Sequence, residues 1–292
     1  MPEVSVILPT CDRPRLVGRA LRSLLAQTFT NLEVLLVDSN RREPPVADNP
    51  ELEALLRDPR VRLLDGRATR SAAMSRNVGL RAAGGSWITF LDDDDEYRPD
   101  KIAAQHALAC ASGAPLVLCG YEFAWPHRRR RRQVGRTQFT GDEILTRAFL
   151  GSPVLFHRRD EHVRFDETLA AGEDLHYALQ LTLRHRLRAL PCVPRALVVV
   201  FPQATGQGVH HDKEAVWRAC RASLRLARGG FSRAARHALL AQGRIERAIG
   251  GHGGPAHFLG CLIAVLRWRG THEWRFVIYA LMARLRRPQA RA

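Results

Sequence analysis

Four consecutive carboxylates, Asp92-Asp93-Asp94-Asp95, follow directly on the apolar run Trp87 to Leu91. Adjacent carboxylates repel one another unless solvent or a cation neutralises them. Mg²⁺ and Mn²⁺ take oxygen ligands and commonly combine one or two protein carboxylates with substrate phosphate oxygens. The cluster therefore reads as a metal-diphosphate site or as a solvated acidic turn, and the four residues alone do not separate the two. A second acidic pair, Glu173-Asp174, opens a run whose Leu175, Leu179, Leu181 and Leu183 look like the buried positions of a helix. Acids in a first helical turn often serve only as caps and dipole partners. The pair His210-His211 precedes Asp212 and a helix starting near Lys213, which suits a polar capping loop.

The elements that must position these residues alternate in type. Short apolar runs at Val4 to Leu8, Leu32 to Val37, Val61 to Leu64 and Trp87 to Leu91 read as strands, and Pro14 to Gln27 carries apolar residues at helical spacing. This is βαβ grammar, which implies a mostly parallel sheet covered on both faces. Such sheets bind ligands beyond the carboxyl ends of their strands. Thr10, Asp12, Asp38 and Asp92 to Asp95 all fall there. Further helices are expected over Pro99 to Ser112, after the capping-box pair Thr140 and Glu143, and over Glu173 to His185. Strands are expected over Pro115 to Phe123, Val154 to His157 and Ala196 to Phe201. From Lys213 the pattern is helical, so the chain divides into an α/β part, 1–212, and a basic helical part, 213–292.

An ordered series of motifs decides what the acidic cluster is for. Ser75-Arg76-Asn77-Val78-Gly79, the small-residue turn Ala83-Gly84-Gly85-Ser86, and Phe90-Leu91-Asp92-Asp93-Asp94-Asp95 resemble the A-R-N-x-G and F-L-D-x-D-D elements of the family 2 glycosyltransferases. Pro9 to Pro14 resembles their opening P-T-Y-N-R loop, Val37-Asp38-Ser39 their V-D-D-x-S strand end, and Phe165-Asp166-Glu167 with Glu173-Asp174 their later F-D-E and E-D elements. The departures are Cys11 for an aromatic residue, Asp12 for Asn and Ser39 for the second aspartate.

The resemblance implies a GT-A-like fold, a mixed, mostly parallel sheet flanked by helices, here with a helical C-terminal extension. It also implies inverting transfer of a sugar from a nucleoside-diphosphate sugar, a UDP-sugar first among donors, with Mg²⁺ or Mn²⁺. On that basis Thr10, Asp12, Asp38, Arg76, Asp92 and Asp93 are expected to hold the nucleotide sugar, with Asp38 accepting a hydrogen bond from the base. Asp94 is the first choice as metal ligand, and His211 an additional ligand closing over the donor. Asp174, then Glu173, is expected to be the base. Asp93 and Asp95 have the alternative of only shaping the turn, and Arg76 that of a salt-bridged helix arginine.

Composition bears on the rival classes. The formal net charge is +16, and all but two of the 45 basic Lys and Arg residues are arginine, which fits a coding bias as well as an anionic partner. Arg128 to Arg132 reads as a solvated loop, or as a contact for an anionic acceptor or phospholipid. From Arg267 to Arg291 seven arginines interleave with Trp268, Trp274, Phe276 and Tyr279, which suits either packing against the catalytic part or a peripheral place in an anionic membrane interface. Six scattered cysteines and an N-terminus without a signal pattern indicate a reduced, cytoplasmic setting, at the inner face of the membrane if the acceptor is lipid-linked. A nucleotidyltransferase needs a glycine-rich basic loop near the first strand, and Pro9 to Pro14 contains no glycine. A nucleic-acid-binding module needs basic and aromatic residues along one face, whereas the densest motif here is acidic, so no nucleic-acid partner is expected. The expected acceptor is a hydroxyl on a glycan or lipid-linked sugar of envelope or surface polysaccharide synthesis.

Overall fold

The computed structural model describes residues 1–125, 127–132, 134–146, 151–202 and 212–249. It opens with β1 (Val4–Thr10), α1 (Pro14–Leu25), β2 (Leu32–Asp38), the single turn α2 (Glu53–Leu56), β3 (Val61–Asp65), α3 (Ala72–Ala82) and β4 (Trp87–Phe90). The four strands pair in parallel in the order β3-β2-β1-β4. β1 and β2 are buried along almost their whole length, as continuous apolar runs in a parallel sheet must be. Gly79 lets α3 lie close against β1, since a Cβ there would come 2.5 Å from Cγ2 of Ile7. Ser71 caps α3 by accepting from the Met74 backbone N–H.

The rest of the sheet is mixed. β5 (Glu96–Tyr97), α4 (Lys101–Ser112), β6 (Leu116–Trp125), β7 (Arg128–Arg132), β8 (Gln138–Thr140), α5 (Gly141–Thr146), β9 (Phe156–Arg158), α6 (Glu173–Arg184) and β10 (Ala189–Val200) follow. The order continues β4-β9-β6-β10-β5, with β6 and β10 parallel and β9, β5, β7 and β8 antiparallel to their partners. The capping box before α5 is present: the Thr140 N–H donates to Glu143 and the Glu143 N–H to the Thr140 hydroxyl. Strand β10 is longer than its expected core, because its first half pairs with β8 and slips register against β6 around Pro194. Prolines lack the ladder N–H, so that half does not read as a strand in the sequence.

The five arginines read as a loop form β7 instead. They pair residue by residue with Tyr121 to Trp125 of β6, and the buried Glu122 accepts from Arg129 (3.1 Å) and Arg131 (3.1 Å). That carboxylate, which Arg98 also reaches (3.0 Å), offsets part of the charge of the run.

Helices α7 (Lys213–Leu226) and α8 (Arg233–Ile249) pack against each other and against α5 and α6, and Cys220, Phe231, Ala235 and Leu239 join the same core as the sheet. The segment 250–292 lies outside the described residues, as does His211. Among the described residues no helix is long and apolar enough to cross a membrane.

Candidate functional site

The ends of β1, β2 and β4 and the start of α6 surround one acidic centre. At its middle is Arg76, held on α3 with only 4% of its side chain exposed. Its Nη2 donates to Asp92 Oδ1 at 2.7 Å, and its Nη1 lies 3.0 Å from Glu173 Oε1 and 3.3 Å from Asp174 Oδ1. Burial works against the Arg76 charge, but Asp174, Asp92 and Glu173 outweigh it and hold the guanidinium above its ordinary range. One cation thus joins the acidic cluster after β4 to the acidic pair opening α6, which are about eighty residues apart in sequence. Sequence left open whether Arg76 faces a nucleotide or carboxylates. Every polar partner found for it among the described residues is a carboxylate.

Asn77, next along α3, fixes the other wall. Its Nδ2 donates to the Phe165 carbonyl (3.0 Å) and Glu167 (2.8 Å), and its Oδ1 accepts from the Phe165 N–H (2.9 Å). The F-D-E segment is therefore held against the A-R-N-x-G helix by one side chain. Phe165 in turn stacks on Tyr177 at 4.1 Å, beneath the Arg76 guanidinium 5.3 Å away.

Asp174 sits in the first turn of α6, after Gly172, whose φ of 69° makes the sharp entry. Its Oδ1 is shielded and has no hydrogen-bond partner among the described residues, only the charge of Arg76. Burial pushes the Asp174 carboxyl up, Arg76 opposes, and Glu173 and Asp92 add to the rise, leaving it at about 7. A partly buried carboxylate tuned near neutrality is what proton abstraction from a hydroxyl needs.

The four aspartates have different surroundings. Asp92 and Asp94 keep part of their side chains exposed, 31% and 18%, whereas Asp93 is fully buried. Asp93 accepts from the Thr10 hydroxyl at 2.8 Å, and Arg13 reaches both Asp93 (2.5 Å) and Asp94 (3.0 Å). Burial raises Asp93 to about 7 against the pull of Arg13 and Thr10. Asp95 is buried too and accepts from the Phe201 N–H at 3.2 Å; burial, then the charges of Asp92 and Asp94, push it well above the usual carboxylate range. Arg19 completes the ring, bonding the Asp94 carbonyl and Glu96 and covering the Phe201 ring at 3.9 Å. Arg13 and Arg19 were not singled out from the sequence. The signal was available for Arg13, which closes the P-T-C-D-R element, but its reach to the cluster is a tertiary fact.

On the opposite rim the polar residues organise a loop. Asp12, at φ 53°, accepts from the N–H groups of Arg41 (2.7 Å), Arg42 (2.9 Å) and Glu43 (3.3 Å), which lower its pKa in spite of partial burial. Asp38 accepts from the N–H groups of Asn40 (3.0 Å) and Val46 (2.7 Å). Both carboxylates therefore shape the segment after β2; Asp12 Oδ1 is filled by its three N–H donors, whereas each Asp38 oxygen accepts one bond and retains capacity for a second.

Whether these residues suit a divalent cation follows from exposure and charge. Among the described residues no three His, Cys, Asp or Glu side chains form a cage. The partly exposed carboxylates of Asp92 and Asp94 fit the incomplete protein ligand set that Mg²⁺ accepts when phosphate oxygens supply the remainder. Arg13, itself 43% exposed, is the cation now beside Asp94.

Comparisons with known proteins bear on the family and the fold. Residues 5–168 match the sequence model of glycosyl transferase family 2. The succinoglycan biosynthesis protein ExoO of Rhizobium meliloti is 32% identical over 193 residues, covering 60% of this chain and 54% of that protein, so the chain spans about half of that relative's length. The glucosyltransferase WfgD of Escherichia coli, named for a GlcNAc-diphosphoundecaprenol acceptor, is 25% identical over 190 residues, covering 65% of this chain and 73% of that protein. Among solved structures, Staphylococcus aureus TarS 1–349 with UDP superimposes with a TM-score of 0.68 at 17% identity, covering 97% of this chain and 88% of that one. The mannosyltransferase PcManGT of Pyrobaculum calidifontis, with GDP-Man and Mn²⁺, gives 0.54 at 19% identity, covering 97% and 74%.

Proposed function

The chain belongs to glycosyl transferase family 2, and from that premise we propose that it is an inverting glycosyltransferase using a nucleoside-diphosphate sugar, a UDP-sugar first. The observation that carries the reading is the Arg76 bridge, which sets Asp92 and Asp174 on the two sides of one guanidinium at 2.7 Å and 3.3 Å. Asp92 and Asp94 are the donor-side carboxylates that would hold Mg²⁺ or Mn²⁺; Thr10, Asp12, Asp38, Arg76 and Asp93 line or order the nucleotide-sugar pocket. A bound divalent ion would supply Lewis-acid stabilisation of the departing diphosphate. Asp174 takes the proton from the acceptor hydroxyl as its oxygen forms the new bond to the anomeric carbon and the bond to the diphosphate breaks. Glu173 shares Arg76 with Asp174 and is a positioning residue in this scheme.

The acceptor class is inferred from the names of relatives. Relatives carry names from succinoglycan, colanic acid and undecaprenol-linked glycan synthesis, and a hydroxyl on a lipid-linked or envelope glycan is the corresponding proposal here. It places the enzyme at the cytoplasmic face of the membrane, peripherally bound. The division near residue 212 into a catalytic part and a basic helical part remains our proposal for the chain's organisation.

The test is a panel of nucleotide sugars, following metal-dependent release of nucleoside diphosphate with the wild type and Asp94→Ala. One or a few donors should be turned over by the wild type with Mg²⁺ or Mn²⁺, and donor binding by Asp94→Ala should lose its metal dependence. No release from any donor, with or without metal, overturns the reading.

A further inference from the structure

The β6–β7 ribbon has two unlike faces. Side chains alternate along a strand, so Tyr121, Phe123 and Trp125 share one face of β6, and the register sets Arg132, Arg130 and Arg128 directly opposite them. The three rings form a continuous ladder, Tyr121 to Phe123 at 5.5 Å and Phe123 to Trp125 at 5.2 Å. On the other face Glu122 gathers Arg98 (3.0 Å), Arg129 and Arg131. Glu122 is the only acid between Tyr121 and Arg132, so the ribbon keeps a large positive excess.

An apolar side chain is exposed at each end of the arginine strand. Trp125, 37% exposed, ends β6, and Val134, 45% exposed, follows β7. All five arginines of β7 are exposed. Charged residues on an edge strand discourage pairing with other chains, which accounts for arginines but not for an exposed tryptophan and valine flanking them. A platform for nucleic-acid bases needs several open ring faces, and here Tyr121 is buried and Phe123 half-buried. Arginines around a tryptophan that is apolar on one side and wet on the other match the boundary of an anionic bilayer.

The ribbon also borders the acidic centre. Phe123 pairs with Val200, the residue before Phe201, whose N–H bonds Asp95. Arg98 follows β5 three residues after Asp95.

We propose that the β6–β7 ribbon is the surface by which this protein docks on membranes rich in anionic phospholipid, with Trp125 at the headgroup boundary and Arg128, Arg130 and Arg132 on the lipid phosphates. The assignment rests on the reading of a lipid-linked acceptor, and docking through this rim would bring the bilayer to the edge of the acidic centre at Phe201 and Asp95.

The experiment is flotation of the full chain with vesicles of phosphatidylcholine, with and without phosphatidylglycerol, across a salt series. Replacing Arg128, Arg130 and Arg132 together by Gln should weaken binding to phosphatidylglycerol vesicles by about tenfold or more and flatten its salt dependence. Replacing the same three by Lys should restore binding, which guards against misfolding as the cause. Trp125→Ala should weaken binding several-fold while its salt dependence persists. Unchanged binding in the Gln variant overturns the proposal, as does failure of the wild type to float with phosphatidylglycerol vesicles. Donor hydrolysis in solution, measured alongside, should be the same in all variants. Unaltered vesicle binding with normal donor hydrolysis removes the docking surface alone, and absent hydrolysis in the wild type removes the catalytic reading alone.

Discussion

At the scale of single residues, the site is organised by the difference between buried and half-buried carboxylates. Asp174 has its pKa raised to about 7 by burial against Arg76. As a base it must be ionised, so the protonated, inactive form persists up to that pH. We expect kcat/KM for transfer to fall about tenfold per pH unit below about 7, and a pH–rate profile checks it. Asp93 answers a stability question instead. Its folded pKa, about 7, stands above the ordinary 3.8, so its contribution is fully favourable below 3.8 and is lost as pH rises through about 7. Asp93→Asn should therefore gain on the wild type between pH 4 and 8, by on the order of 4 kcal/mol at most, read from denaturant melts at each pH. That Asp92 to Asp95 gather at a strand end was legible in the sequence. Their separate surroundings were not, because which carboxylate faces solvent depends on Thr10, Arg13 and Phe201 arriving from elsewhere in the chain.

At the scale of elements, α3 connects the parts. Its consecutive Arg76 and Asn77 reach α6 and the Phe165 segment, and its Gly79 seats it on β1. Asn77→Ala strips the partners from the Phe165 N–H and C=O, and leaving such buried groups unmet should cost about 2 kcal/mol or more. Because the same loss loosens the wall behind Arg76, the melting temperature and the transfer rate should fall together. Gly79→Ala should cost about 1–3 kcal/mol through its overlap with Ile7, checked by denaturant unfolding. The helical and strand periodicity of the first hundred residues carried over to the structure because alternating β and α elements leave clean patterns. The arginine strand and the first half of β10 did not. A run of like charges and a proline pair carry no strand signal, and both become strands only through partners, Glu122 and β8, that sequence does not place.

At the scale of the whole molecule, charge is divided by position: an acidic crevice at the strand ends and a basic ribbon beside it, with α7 packed on α6 and α8 on α5. Ending the chain near residue 212 would uncover the core positions that Phe231, Ala235 and Leu239 now seal, so we expect the shortened chain to unfold at a lower denaturant midpoint than one ending after α8. On the proposed mechanism, Arg76 joins a donor-holding carboxylate, Asp92, to a proton-accepting one, Asp174. The most direct measurement is donor affinity and single-turnover transfer, taken side by side for wild type and Asp174→Asn with a donor that the wild type uses. We expect Asp174→Asn to bind donor within a few-fold of wild type and to transfer sugar at least about a hundredfold more slowly; transfer at the wild-type rate would remove Asp174 as the base.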